Sequence, residues 1–260
     1  MARYFMHLAY RGLPFHGWQR QPSDISVQQV LEEAMSKILR QETALTGAGR
    51  TDTGVNARRM IAHFDTDHPL PLDPKFINAL NSLCGPDIAV YSVAPVHPEA
   101  HARFDATART YRYFASEQKS PFFHQLSWKA PARLDYEAMN RAAELLLHTS
   151  DFTSFSKLHT DVKTNICHVT EARWTPTQGG GMQFIITADR FLRNMVRAVV
   201  GTLVEVGRGK ISIPQFQSII DARDRCAAGT SMPPQALYLW DVTYPYISID
   251  PATGRILPNT

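Results

Sequence analysis

The stretch GAGRTDTGVNARRMIAHFDT, Gly47 to Thr66, sets a glycine-rich loop directly ahead of a β-prone run. Glycine-rich loops most often cradle phosphate, and the nucleotide-binding folds that use them carry fixed patterns. A dinucleotide fingerprint counted from Gly47 needs glycine at position 52, where Asp52 stands. A P-loop needs Gly-Lys-Ser/Thr, which is absent. Both folds are set aside. The chain also lacks a G-x-S-x-G elbow, an H-E-x-x-H pair and an EF-hand loop. What remains is one carboxylate, Asp52, among three glycines, two threonines and the arginines Arg50 and Arg58.

Outward from that loop the periodicity alternates between two kinds of element. Tyr4 to Tyr10 is β-prone and ends in the turn-like RGLPFHG, and SVQQVLEEAMSKIL carries apolar residues at helical spacing. Ser26, with Gln29 three residues on, predicts a capping box at the start of that helix. Beyond the loop, MIAHFDT reads as a strand, LDPKFINALNSL as a helix, and IAVYSVAPV as a strand whose apolar run suggests burial on both faces. FDATARTYRYF, Phe104 to Phe114, is extended, with Tyr111 and Tyr113 on one face and Arg112 on the other.

LDYEAMNRAAELLL is an amphipathic helix, and NICHVTEARW and MQFIITAD are strands joined across QGGG. RFLRNMVRAVVGTLVEVG places Met195, Val196, Val199, Val200, Leu203 and Val204 on one helical stripe, with Arg193 and Arg197 on a neighbouring face. A last strand, ALYLWDVTY, precedes an irregular tail rich in Pro and Gly. The order implies an α+β or mixed α/β fold, read as two similar halves whose sheets join. No low-complexity linker separates the halves, so a rigid association is expected.

The 260 residues, 44% hydrophobic, suit an ordinary globular protein. No apolar run approaches the roughly 18 residues of a membrane span. The start MARYFMHLAYRG has no signal-peptide pattern, so a cytoplasmic protein is expected. Cys84, Cys167 and Cys226 lie far apart and suggest neither a disulfide framework nor a zinc site. A net charge of +3 is mild, but its distribution is uneven. Between Arg103 and Arg133 six basic residues face only Asp105 and Glu117, interleaved with Phe104, Tyr111, Tyr113 and Phe114. Such interleaving suits a polyanion that carries flat bases, and equally a solvated face with core aromatics behind it.

Two readings of Asp52 follow from the residues alone. Its carboxylate caps a turn on the Gly54 amide, with Arg50 and Arg58 as surface charges. Alternatively it stays ionised beside the arginines and serves as a nucleophile, while glycines at 47, 49 and 54 let the backbone approach a ligand. A carboxylate-dependent hydrolase would need a second acidic partner, which no motif marks.

Six blocks resemble, in order, the bacterial tRNA pseudouridine synthase A family: FHGWQRQP with SVQQVLEEA, GAGRTDTGV, HARFDATARTYRY, DFTSF, FLRNMVRAVVGTLVEVG and ALYLWDVTY. The resemblance implies an isomerase that converts uridine to pseudouridine at positions 38, 39 and 40 of the tRNA anticodon stem-loop, without cofactor or metal. It further implies a homodimer whose two RNA-binding-like halves flank a central cleft in a pseudouridine synthase fold. On this chain the halves would be residues 1–106, carrying the Asp loop, and 107–260, carrying its partners, as one rigid catalytic unit.

Carried over residue by residue, the essential Asp of G-R-T-D falls on Asp52, the Tyr of Y-R-Y on Tyr111, the Arg of M-V-R on Arg197, and the arginine before the Asp on Arg50. Arg58, Arg109 and Arg112 are weaker candidates for phosphate contact. Family members often have Ala and His where this chain has Thr53 and Asn56, and Tyr-Asp-Gly where it has Tyr10, Arg11 and Gly12. The competing expectation is a noncatalytic RNA-binding or RNA-folding protein on the same scaffold, which would need the basic and aromatic residues but not Asp52.

Overall fold

The computed structural model describes residues 2–157 and 164–259. It divides into two compact units, one of Met1–Thr107 with Leu239–Thr260 and one of Ala108–Tyr238. Both mix helices with a largely antiparallel sheet, the α+β class expected from the alternating periodicities.

In the first unit β1 (Ala2–Tyr10) leads through the turn and α1 (Val27–Leu39) to the two-residue β2 (Thr46–Gly47) and the long β3 (Asn56–Thr66). Helix α2 (Pro74–Cys84) and β4 (Ile88–Val96) follow. The Ser26 side chain accepts the Gln29 amide at 3.2 Å and caps α1. The reciprocal half of the expected box is replaced, because the Gln29 side chain donates to Glu33 at 3.0 Å. Asp73 caps α2 in the same way, accepting the Phe76 amide at 2.9 Å, with Pro74 in the first turn where a missing N–H costs nothing.

β1 pairs antiparallel with both β3 and β4, and β2 pairs with β3. β4 is therefore an edge strand, and its alternating burial departs from the burial on both faces that its apolar run suggested. It buries Ile88, Val90 and Val93, while Tyr91 is 47% exposed. The apolar run reflects what covers that edge, since the C-terminal tail folds back against it. The Ser92 hydroxyl donates to the Gly254 carbonyl at 2.9 Å and accepts the Ile256 amide at 3.2 Å.

The second unit runs β5 (Ala108–Ser116), β6 (Trp128–Lys129), α3 (Tyr136–Glu144), β7 (Val169–Pro176), β8 (Met182–Ala188), α4 (Met195–Gly207) and α5 (Ile213–Ala222). β8 pairs with β5 and with β7, both antiparallel. The turn before β8 uses Gly180 and Gly181 at φ 82° and 89°, a region that L side chains rarely enter. Each unit has one strand paired on both sides, β1 between β3 and β4 in the first and β8 between β5 and β7 in the second.

Two sequence expectations change here. Phe104 and Asp105 lie in a turn, and the strand β5 begins only at Ala108. The tail is not irregular either: after β9 (Leu237–Thr243), which lies beside β3, it forms an antiparallel hairpin of β10 (Ile247–Ile249) and β11 (Ile256–Pro258). No helix among the described residues is long and apolar enough to cross a membrane.

Candidate active-site residues

The loop bearing Asp52 is clamped from the FHG turn. The Trp18 amide donates to the Thr51 carbonyl at 3.3 Å, the Gly54 amide to the Phe15 carbonyl at 3.3 Å, and the Val55 amide to the Asp52 carbonyl at 3.1 Å. Tyr10 and Thr51 share a hydroxyl hydrogen bond of 2.8 Å. Thr51, Gly54 and Val55 are buried, Asp52 is half-buried and Thr53 is exposed. The Gly54 amide, which a turn-capping Asp52 would claim, is thus committed to Phe15, and the carboxylate rides on a backbone fixed on both sides.

Each glycine of the loop has its own reason. A Cβ on Gly47 would lie 2.5 Å from the Trp18 ring, and Gly54 sits at φ 77°. Around Gly49 nothing lies within 4 Å of such a Cβ. Of the three positions read as access points for a ligand, only Gly49 is left open by its packing.

The departures from the family pattern meet at one contact. Asn56 is almost fully buried, and its Oδ1 accepts the Gly12 amide at 2.8 Å. A Cβ on Gly12 would approach the Val55 carbonyl oxygen to 2.1 Å, so the first turn and the end of the Asp52 loop are in direct contact. Asn56 thereby fastens the turn containing Arg11 to the loop. Arg50 is exposed. Arg58 is also exposed, its guanidinium carbon 4.6 Å from the centre of the Trp240 ring, while Arg59 pairs with Asp241 at 2.6 Å.

In the second unit the two tyrosines of β5 share a face and differ in depth. Tyr113 is fully buried, and its hydroxyl has no hydrogen-bond partner among the described residues. Burial raises its pKa, partly offset by the positive charge of Arg197. Tyr111, two residues along on the same face, is half-buried, with its ring 5.0 Å from Phe191 at an edge-on 82°. Only Tyr111 of the pair is placed where a substrate can reach it.

Arg197 lies on a helix buried at every other position but Glu205, so it is no snorkelling residue on a surface helix. Its Nε donates to the Met232 carbonyl at 2.6 Å, and the Met232 amide donates to the Arg197 carbonyl at 3.1 Å. This two-way tie fixes the guanidinium's direction. Arg193 is not on that helix, which begins at Met195 after Asn194 takes a left-handed φ of 66°. The expected Arg193 and Arg197 pair on a common face is therefore absent.

Arg109 shares the Tyr111 face by strand alternation and donates to the Asp189 carbonyl at 2.7 Å. Arg112 occupies the opposite face and donates to Gln183 at 3.2 Å. The candidate residues therefore come from both units: Arg50, Asp52 and Arg58 from the first, and Arg109, Tyr111, Arg112 and Arg197 from the second. Sequence reading missed their supports, namely Asn56, the Met232 carbonyl and Trp240. Trp240 stood inside a quoted motif, but nothing local tied it to Arg58.

A family model described as tRNA pseudouridine synthase matches residues 142–245. The chain is 57% identical over 245 residues to the tRNA pseudouridine synthase A of Parabacteroides distasonis, an alignment covering 94% of this chain and 97% of that protein. With the protein of the same name from Bacteroides thetaiotaomicron the identity is 55% over 248 residues, covering 94% and 91%. With that of Bacillus subtilis it is 39% over 241 residues, covering 91% and 97%.

Proposed function

The chain belongs to the tRNA pseudouridine synthase A family, and from that premise we propose that it isomerises uridine to pseudouridine at positions 38, 39 and 40 of the tRNA anticodon stem-loop, with Asp52 as the essential nucleophile. Membership makes it an isomerase of tRNA uridine. The position and the residue roles are the proposal. The observation that carries it is the Asp52 loop, whose carboxylate is half-buried on a backbone held by Trp18, Phe15 and Tyr10. An acid whose only task was to cap its own turn would not need that external clamp.

The reaction conserves every atom. The bond from ribose C1′ to uracil N1 breaks, the base turns, C1′ bonds to C5, the C5 proton leaves, and N1 ends protonated. Asp52 supplies the negative charge that meets the sugar or ring as the first bond loosens. Arg197, aimed by its bond to the Met232 carbonyl, is the cation that offsets negative charge developing at the reacting base. Tyr111 stacks on the detached base and takes or relays the C5 proton.

A uridine inside a stem must leave its stack to be reached, and exposed Arg50 fills the space it vacates. Arg109 and Arg58 contact phosphates, and Arg112, on the opposite strand face, serves a more distant part of the RNA. The same reading makes the protein a cytoplasmic homodimer that works without metal or cofactor.

Asp52→Asn is the direct test, because it removes the charge and keeps the shape. The variant is expected to bind tRNA with an affinity within about threefold of the parent, since the loss is of transition-state interaction. It is expected to give no mapped pseudouridine at any position. Substantial turnover by the variant sinks the assignment, and tRNA binding without product by the parent favours the noncatalytic reading.

A further inference from the structure

The turn from His101 to Asp105 opens the basic and aromatic stretch that the sequence marked, and it holds a large aromatic side chain out in solvent. Phe104 is 75% exposed. A single exposed Phe is ordinary on a protein surface, so exposure alone means nothing. What distinguishes this one is how rigidly it is presented.

The Arg103 and Phe104 amides both donate to the His101 Nδ1, at 3.1 and 3.2 Å. The imidazole caps the turn and also packs against Phe104, with ring centres 4.3 Å apart and planes tilted by 33°. Asp105 closes the turn by accepting the His101 amide at 2.7 Å and the Tyr246 hydroxyl at 2.7 Å. Beneath it, fully buried Ala100 and Ala102 anchor the backbone. Arg3 donates to the Ala100 carbonyl at 3.0 Å, the Ala102 amide donates to His63 Nδ1 at 3.1 Å, and the Tyr244 hydroxyl donates to the Ala102 carbonyl at 2.5 Å.

One face of the Phe104 ring is thus backed by His101. The exposed Arg103 guanidinium carbon lies over the ring, 5.7 Å from its centre, so a positive charge accompanies the aromatic surface. A flat apolar ring next to a cation matches an unpaired nucleobase next to its phosphate. Because the turn is already ordered, such a base would bind without the entropy cost of fixing a loop.

Resting on the reading that the chain acts on tRNA, we propose that Phe104, backed by His101 and flanked by Arg103, is a stacking platform for an unpaired nucleobase of the substrate RNA. It is a positioning residue with no part in the bond changes of the reaction. An apolar contact to a second copy of this chain is the competing occupant. A cation at the ring favours the nucleic acid, because positive charge complements a phosphate backbone and has no such complement in an apolar protein face.

The test compares Phe104→Ala, Phe104→Leu and Phe104→Trp in the full-length protein. The readouts are equilibrium binding to transcribed tRNA, the KM and kcat of pseudouridine formation, and mass in solution by light scattering. Loss of one base stack weakens binding by about 5- to 100-fold. Ala and Leu are therefore expected to raise Kd and KM by that factor with kcat nearly unchanged, and Trp to restore both. Parental binding by the Leu variant overturns the proposal, since a merely apolar contact survives in Leu. A drop in mass for the Ala variant overturns it by making Phe104 a protein contact. The Kd arm is read without any turnover, so a failure of Phe104 is distinguishable from a failure of the catalytic reading.

Discussion

Gly47 and Gly49 stand two residues apart, yet the physical demands on them are opposite. A methyl on Gly47 would meet Trp18 Cε2 at 2.5 Å and Nε1 at 2.7 Å, and Trp18 is itself buried and cannot swing aside. Overpacking of that kind costs about 1–3 kcal/mol. Gly47→Ala is therefore expected to lower stability by about that amount in chemical denaturation. Gly49→Ala meets nothing within 4 Å and should leave stability within about 0.5 kcal/mol. If the two variants denature alike, the packing account of the loop fails. Any effect of Gly49→Ala on turnover then reports the approach of substrate, free of a folding defect. Asp52 sits three residues beyond Gly49, on the part of the loop that the FHG turn holds.

At the scale of elements, α4 shows what aims Arg197. The segment from Gly229 to Met232 lies along it, with the Gly229 amide donating to the Thr202 hydroxyl at 2.9 Å and the Met232 carbonyl receiving Arg197 Nε. A Cβ on Gly201 would fall 1.9 Å from the Thr230 carbonyl oxygen, so only glycine admits this approach. Gly201→Ala is expected to push the segment away. That should lower thermal stability by more than about 1 kcal/mol and turnover by more than tenfold, because the carbonyl that aims the guanidinium moves with it. Parental kinetics in a folded Gly201→Ala protein would remove Met232 from the argument.

The same element marks how far local sequence reaches. Ser26 before α1, the apolar spacing of α2 and α3, and the glycine turn before β8 were all legible, because each signal lies within a few residues of its effect. The full burial of α4 was not, since a stripe of apolar residues says nothing about a segment some thirty positions later that covers the rest. Arg193 was misplaced because nothing in the letters announces a left-handed Asn194. β4 was read as buried on both faces because apolar content alone does not reveal which side of a strand the rest of the chain covers. Asp52, Tyr111 and Arg197 were picked out by motif resemblance. Their supports at Asn56, Met232 and Trp240 needed coordinates.

Across the whole molecule, the first unit is assembled from both ends of the chain, and two buried histidines lie in it. His7 Nδ1 meets the Gly254 carbonyl at 2.8 Å, which requires that nitrogen to carry the proton, and His63 Nδ1 accepts the Ala102 amide, which requires it to be bare. Burial lowers both pKa values to about 4. Around His7 the Gly254 carbonyl and Asp241 favour protonation while Arg59 and Arg58 oppose it. Around His63 the opposing groups are His101 and Arg3, and the favouring ones Asp65 and Asp105.

A folded-state pKa below the unfolded value of 6.5 means that the unfolded chain takes up protons first as pH falls. Stability is therefore full above pH 6.5 and is lost between about 6.5 and about 4, with no further loss from these two groups once both states are protonated. At pH 5 each histidine accounts for about 2 kcal/mol. Asp65, held below the usual carboxylate range by its hydrogen bond from Arg3, acts lower still, its contribution disappearing as pH falls beneath 3.8. Urea denaturation at pH 7.5 and pH 5 should show the first unit losing several kcal/mol. His63→Gln, whose amide oxygen can still accept the Ala102 amide, should recover roughly half of that loss. A parent protein equally stable at both values would mean that these rings are not held neutral, and that the closing of the first unit by its C-terminal segment is looser than the His7 contact to Gly254 requires.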